Sequence, residues 1–308
     1  MRRSLTGQAG RGPIRYAAGS VLIALLGVLA PLSCAQAGDP RDHSTDLGVD
    51  NFGTLSQTCG FTKGGCGPTA ATNSFTFLDN TDPFLGGRLT SGNPPGVAAT
   101  LANLMQTDSN GSTFILNFIA GKQAYFSDLG ISASFSAQVD PQLLTPAQQA
   151  AAPAISGTVV TAPTGIFLAN ELHDHEDVEM LANKINPDGS IDVTVGHYVT
   201  IVDLNWYDQN ENGVMDQSDW ASPTNHGHPT FGYMDPFGGV LRDGIELTEQ
   251  NGHLTLFGPL TGNQYEVTAL VSESPTPEPT TWAMLLLGFG GLGMVLRSTR
   301  RRQTIATP

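Results

Sequence analysis

The stretch that most constrains this chain is Gly64-Gly65-Cys66-Gly67-Pro68-Thr69-Ala70-Ala71-Thr72-Asn73-Ser74-Phe75. Gly64, Gly65 and Gly67 permit backbone angles that other residues resist, which predicts a tight turn around the cysteine. Pro68 suits the first helical position, where a missing N–H costs no hydrogen bond. Ala70, Ala71, Phe75 and Leu78 supply helix formers and an apolar stripe, predicting a helix to about Leu78. A cysteine at the start of that helix meets unpaired N–H groups and the positive end of the helix dipole. Both favour the thiolate, the nucleophilic form. The alternative reading of the same residues is a structural cysteine, packed at a turn or held in a disulfide.

Charge narrows the choice of partner. The chain of 308 residues carries a formal net charge of −14. Eight of its 14 basic residues lie at the two ends, leaving six in the middle against all 28 acidic ones, a net of −22. Such a body repels nucleic acid and favours cations or basic partners.

The ends read as addressing signals. In residues 1–37 four arginines precede the apolar run Val21 to Ala30, and Ala35-Gln36-Ala37 offers a signal-peptidase site. Cys34 falls inside this segment, so Cys59 and Cys66 are the cysteines of the mature chain. In an oxidising compartment they raise the possibility of a disulfide. At the other end, 271–279 reads as a Pro/Ser/Thr linker and 280–296 as a membrane helix at the lower limit of spanning length. Arginines follow it, which places the tail inside and the body outside. Pro277-Glu278-Pro279, the glycine-rich apolar run and the terminal arginines, together 277–302, resemble the PEP-CTERM sorting signal of exopolysaccharide-producing bacteria. The resemblance implies an exosortase partner, transient membrane anchoring, and release or transfer to the cell surface or extracellular matrix.

Between the signals, 38–56 reads as an irregular polar lead-in and 79–97 as loop. Helix is expected near 101–105, 114–126, 143–152 and 177–185. Strands are expected at 131–139, 165–169, 191–195, 197–204, 230–234, 240–247 and 254–257. Helices first and strands later predict an α+β fold, a helical lobe packed on an antiparallel sheet.

A nucleophilic Cys66 needs a base. His197, in Gly196-His197-Tyr198-Val199, starts a strongly predicted strand. Asp235, in Asp235-Pro236-Phe237-Gly238-Gly239, closes another and can orient the imidazole. Cys-Gly-Pro-Thr-Ala, Gly-His-Tyr-Val and Asp-Pro-Phe-Gly-Gly, in this order, resemble papain-like cysteine peptidases related to those that process bacteriocin double-glycine leaders. The resemblance implies a papain-like domain over 57–270 that cleaves a peptide or protein substrate. In it Cys66 is nucleophile, His197 general base and acid, and Asp235 orienter. In that family a glutamine shortly before the cysteine helps form the oxyanion hole. The matching position here is Gly60, and Gln57 is the nearest glutamine.

A second constellation, Asp208-Gln209-Asn210-Glu211-Asn212-Gly213-Val214-Met215-Asp216-Gln217-Ser218-Asp219, has the spacing of an EF-hand-type calcium loop. Asp208, Asn210, Asn212, the Val214 carbonyl, Asp216 and Asp219 are the candidate ligands. The loop inserts at 208–219, between His197 and Asp235, where calcium would staple the connection between two strands. Two functions stand foremost at this point, ahead of acyl transfer such as protein crosslinking. One is an exported cysteine hydrolase acting through a thioester. The other is a catalytically inactive, calcium-stabilised matrix or adhesion protein associated with exopolysaccharide.

Overall fold

The computed structural model describes residues 41–57, 65–216, 218–219, 227–258 and 262–276, all within the unit Asp39–Pro308. The expected signal peptide, Cys59, the membrane helix 280–296 and most of the sorting tail lie outside the described residues. No described helix is long and apolar enough to cross a membrane.

The first half is helical: α1 (Cys66–Thr81), α2 (Pro94–Leu104), α3 (Ile115–Asp128), α4 (Pro146–Ala151) and α5 (Gly165–His173). The strands are β1 (Asp42–Asp46), β2 (Ala133–Val139), β3 (Thr158–Val160), β4 (Asp177–Ile185), β5 (Ile191–Tyr207), β6 (Thr230–Asp235), β7 (Val240–Gln250), β8 (His253–Phe257) and β9 (Gln264–Pro275). The α+β expectation holds. Every pairing is antiparallel except β2 with β3.

The pairings return on themselves. β4 joins β5, then β6, β7, β8 and β9 follow in turn, and β9 pairs back to β4. Closure removes the free edges that an open sheet would present. β1 extends this ring from the far end of β5, and β2 extends it from β9. The long β5 and β9 serve both purposes because their two ends pair with different neighbours.

α1 fills the space between the ring and the other helices, packing on α2, α3, β4 and β5. Gly67 through Phe75 are all buried, as are Phe77 and Leu78. Such all-round burial makes α1 a core helix rather than an amphipathic surface one. Phe75 anchors it against Tyr125 and Phe126 of α3, with ring centroids 5.4 and 5.3 Å away.

Several expected elements change. The lead-in 38–56 contains β1 and a turn of helix at Val49–Asn51. The loop expected to 97 gives way to α2 at Pro94. Asn93 caps that helix by accepting from the Gly96 N–H at 3.3 Å, so the two prolines mark a helix start. Residues 165–169 are not a strand but the start of α5, capped by the Thr164 hydroxyl. Residues 177–185 are not a helix but β4. Val178, Leu181, Ala182 and Ile185 do fall at helical spacing. Both faces of β4 are covered, however, so the alternation that marks a half-exposed strand is missing. β9 carries no strand expectation and continues to Pro275, past the point where the linker was expected to begin.

Buried charge explains part of that difference. Asp177 and Glu179 of β4 and Glu273 of β9 face Lys122 of α3, all fully buried. Lys122 Nζ donates to Glu179 and Glu273, and Ser74 of α1 donates to Asp177. Burial and the neighbouring carboxylates raise Asp177 well above the ordinary carboxyl value. Burial, reinforced by the Glu179 charge, lifts Glu273 to about 8.

Candidate functional site

Cys66 is the first residue of α1. Gly65 precedes it in the left-handed region (φ 94°), and its N–H donates to Gly111 O at 3.1 Å. Pro68 therefore stands third in the helix, not first, still among the N–H positions that lack an intrahelical acceptor. Gly67 lets the helix tip approach its neighbours, since a Cβ there would lie 3.2 Å from Thr113 and 3.4 Å from Phe118.

His197 lies on β5 and Asp235 ends β6. His197 Nε2 is 2.8 Å from Asp235 Oδ1. The same Oδ1 accepts the Phe237 N–H at 2.8 Å, and Oδ2 faces Arg242 Nε of β7 at 3.4 Å. The His197 ring also hydrogen-bonds the Cys66 thiol. The structure thus brings Cys66, His197 and Asp235 into one row, although 38 residues separate the last two.

The row is electrostatically coupled. Burial pushes the Cys66 thiol up. The His197 hydrogen bond and charge, with the N–H groups of Tyr198 and Gly67, more than reverse this, and its pKa falls below the ordinary thiol value. Burial alone would keep His197 neutral, but Asp235 and Cys66 together raise it to about 10. Burial also opposes the Asp235 charge, yet His197, the Phe237 N–H and Arg242 hold it below the usual carboxylate range. These shifts favour a thiolate–imidazolium pair steadied by a carboxylate. Cys66 has a free thiol.

Struts hold the row in register. Thr200 Oγ1 of β5 donates to Ala70 O of α1 at 2.9 Å, both buried, tying the cysteine helix to the histidine strand. Asn73 of α1 accepts from Leu55 N–H at 2.8 Å and donates to Leu55 O at 3.2 Å, and Gly53 N–H donates to Asn73 O. This fixes the segment that ends in Gln57, whose N–H donates to Pro236 O at 2.8 Å. The Gly238-Gly239 turn completes the fit. Gly239 has φ 64°, and a Cβ there would meet Thr54 O at 2.1 Å.

Gln57, Cys66 and His197 line one cleft of about 660 Å³, walled by the 106–115 loop and by β5. Gln57 and His197 also border an apolar cavity of about 410 Å³ inside the ring, lined by Met180, Val199, Tyr233 and Leu256. The Gln57 side-chain oxygen is buried without a hydrogen-bond partner. The Cys66 N–H, first in its helix, has no intrahelical acceptor. Sequence reasoning named Gln57 but missed Arg242, Thr200 and Asn73. No local signal marks them, because their roles exist only across elements.

The 208–219 loop closes on itself. Asp208 Oδ2 accepts the Gly213 N–H at 2.6 Å and Asp219 Oδ2 accepts the Asp216 N–H at 2.7 Å. Asn210 and Asn212 both reach Asp216 Oδ2, at 2.8 and 2.9 Å. Asp208 and Asp219 are buried, and Gly213 takes φ 74° at the turn. The loop is thus drawn in by its own carboxylates, with the amide nitrogens of Asn210 and Asn212 turned toward Asp216 and Val214 exposed; Asp208, Asp216 and Asp219 do not bring their oxygens within 4.8 Å of one another.

Residues 275–302 match the family model of the PEP-CTERM protein-sorting motif. The chain carries an exosortase sorting tail. It is an exported protein, anchored in the membrane by that tail and recognised by exosortase. No curated protein matches the chain.

Proposed function

We propose that the exported body is a cysteine hydrolase of papain-like type that cleaves peptide or amide bonds. The observation behind this reading is the hydrogen-bonded row from the Cys66 sulfur through His197 to Asp235. The Cys66 thiolate attacks the substrate carbonyl carbon, and the oxygen takes up the negative charge. The Cys66 N–H and the Gln57 side-chain amide are the donors for that oxyanion. His197 gives its proton to the departing amine as the C–N bond breaks, leaving a thioester on Cys66. Water then loses a proton to His197 and attacks the thioester, and the C–S bond breaks to restore the thiolate. Asp235 keeps the ring oriented throughout.

Purified protein incubated with a thiol-directed peptidase inhibitor tests the reading. Labelling at Cys66 is expected, with none in Cys66→Ala. His197→Ala is expected to lower hydrolysis of a cleaved peptide by about 10²–10⁴-fold. Undiminished hydrolysis in either variant overturns the assignment. Absence of both labelling and hydrolysis favours the inert matrix protein.

Calcium at Asp208, Asn210, Asn212, the Val214 carbonyl, Asp216 and Asp219 belongs to the same proposal. The site would staple the connection from β5 to β6, and hence His197 to Asp235. Calcium added to chelator-stripped protein is expected to raise the melting temperature, and Asp208→Ala to abolish that rise. Identical melting curves with and without added calcium would count against calcium.

A further inference from the structure

Away from the cleft, three side chains from separate parts of the fold meet at the ring's seam. Asp140 follows β2, His253 opens β8 and Glu266 lies on β9. Their ligand-capable atoms all lie within 4.8 Å of one another. His253 Nδ1 is 2.7 Å from Glu266 Oε1 and 3.3 Å from Asp140 Oδ2. Each of these three buried atoms is nevertheless without a hydrogen-bond partner. Asp140 is fully buried and Glu266 nearly so, at 7% exposure. The other Asp140 oxygen is engaged, accepting the Gln142 N–H at 2.7 Å, which aims Oδ2 at the cluster. Elsewhere the fold meets the same problem with a side chain, for Lys122 lies among Asp177, Glu179 and Glu273. At Asp140, His253 and Glu266 the convergent atoms are two carboxylate oxygens and one imidazole nitrogen.

The geometry points to a site for a transition-metal dication of the zinc type, bound by Asp140 Oδ2, His253 Nδ1 and Glu266 Oε1. One nitrogen and two oxygens at these separations suit such an ion after small adjustments toward bond lengths of about 2.0–2.2 Å. The His253 side chain is 30% exposed, which gives an entry path and leaves a further coordination position to water. The ion's role here is structural. β8 and β9 pair over only Thr255 to Phe257, and the ion would clip them together and to the end of β2.

Zinc chloride titration of the chelator-stripped Cys66→Ala/Asp208→Ala protein tests this, since that background removes the thiolate and the calcium loop. We expect one equivalent bound with micromolar or tighter affinity. The melting temperature should rise by roughly 5–10 °C at a hundredfold excess over Kd. Adding His253→Ala or Asp140→Asn should remove one equivalent and that rise. Should Asp140→Asn fail to fold, the more exposed His253→Ala decides. No zinc binding, or unchanged stoichiometry and melting in His253→Ala, overturns the site.

Discussion

At the scale of single residues, the proposed chemistry rests on what His197 does to Cys66. Burial alone raises a thiol, so the depressed value belongs to the imidazolium beside it. Iodoacetamide alkylation of Cys66 followed against pH should therefore show its inflection below 9.0, the ordinary value. In His197→Ala the inflection should move up past the ordinary value, because burial remains. His197 also links stability to pH. Its folded pKa, about 10, lies above the ordinary 6.5. Its stabilising contribution is complete below 6.5 and is lost as pH rises through about 10. Thr200→Val tests a strut in isolation. It removes one hydroxyl bond to Ala70 O, costs about 0.5–1.5 kcal/mol in urea unfolding, and should slow hydrolysis by loosening the register of α1 on β5.

At the scale of elements, the turn after β6 and the packing of α3 on the ring matter most. Gly239 sits where left-handed backbone and close approach to Thr54 coincide. Gly239→Ala should cost about 1–3 kcal/mol for the backbone conformation alone. It should also displace the Gln57 segment and, in the proposed hydrolase, lower kcat more than it weakens substrate binding. Lys122 holds α3 against β4 and β9. Lys122→Met leaves Asp177, Glu179 and Glu273 buried without their cation and should cost about 3–5 kcal/mol, read from urea melts at neutral pH. The sign of the pH effect follows from Glu273. This acid holds its proton in the folded state up to about 8, far above its ordinary 4.5. Folding is thus favoured at low pH by this group, and that contribution fades as pH rises through about 8. Glu273→Gln should flatten this part of the stability profile.

At the scale of the whole molecule, closure of the ring sets where the fold must end. β9 pairs with β8, β4 and β2 in succession, and Val271–Pro275 supply much of the last two pairings. A chain ending at Leu270 loses that stretch together with Glu273. It should aggregate or stay unfolded by circular dichroism and size exclusion, whereas one ending at Thr276 should fold. The acidic body and the two cation sites proposed above fit one another, because bound dications offset part of a charge that otherwise repels itself. The sorting motif begins at residue 275, where β9 ends, so the folded body passes directly into the tail by which the protein is sorted.

Local signals in the chain determined the outer plan. The apolar and arginine-rich ends, the glycine turn before α1, and the alternating strands β2, β5, β6, β7 and β8 each carry their own pattern. The order of Cys66, His197 and Asp235 was legible for the same reason, since glycine turns and strand ends mark their own positions. Tertiary structure alone decided β4 and β9, whose two covered faces erase alternation and whose buried acids look like surface residues until Lys122 is opposite them. It also decided α5 and α2, where a capping hydroxyl or amide outweighs a strand-like or loop-like composition. The contacts of Arg242 with Asp235, Thr200 with Ala70, and Asp140 with His253 join residues far apart in the chain. No local propensity encodes such pairs, because the free energy that selects them comes from closing the ring and burying α1 against it.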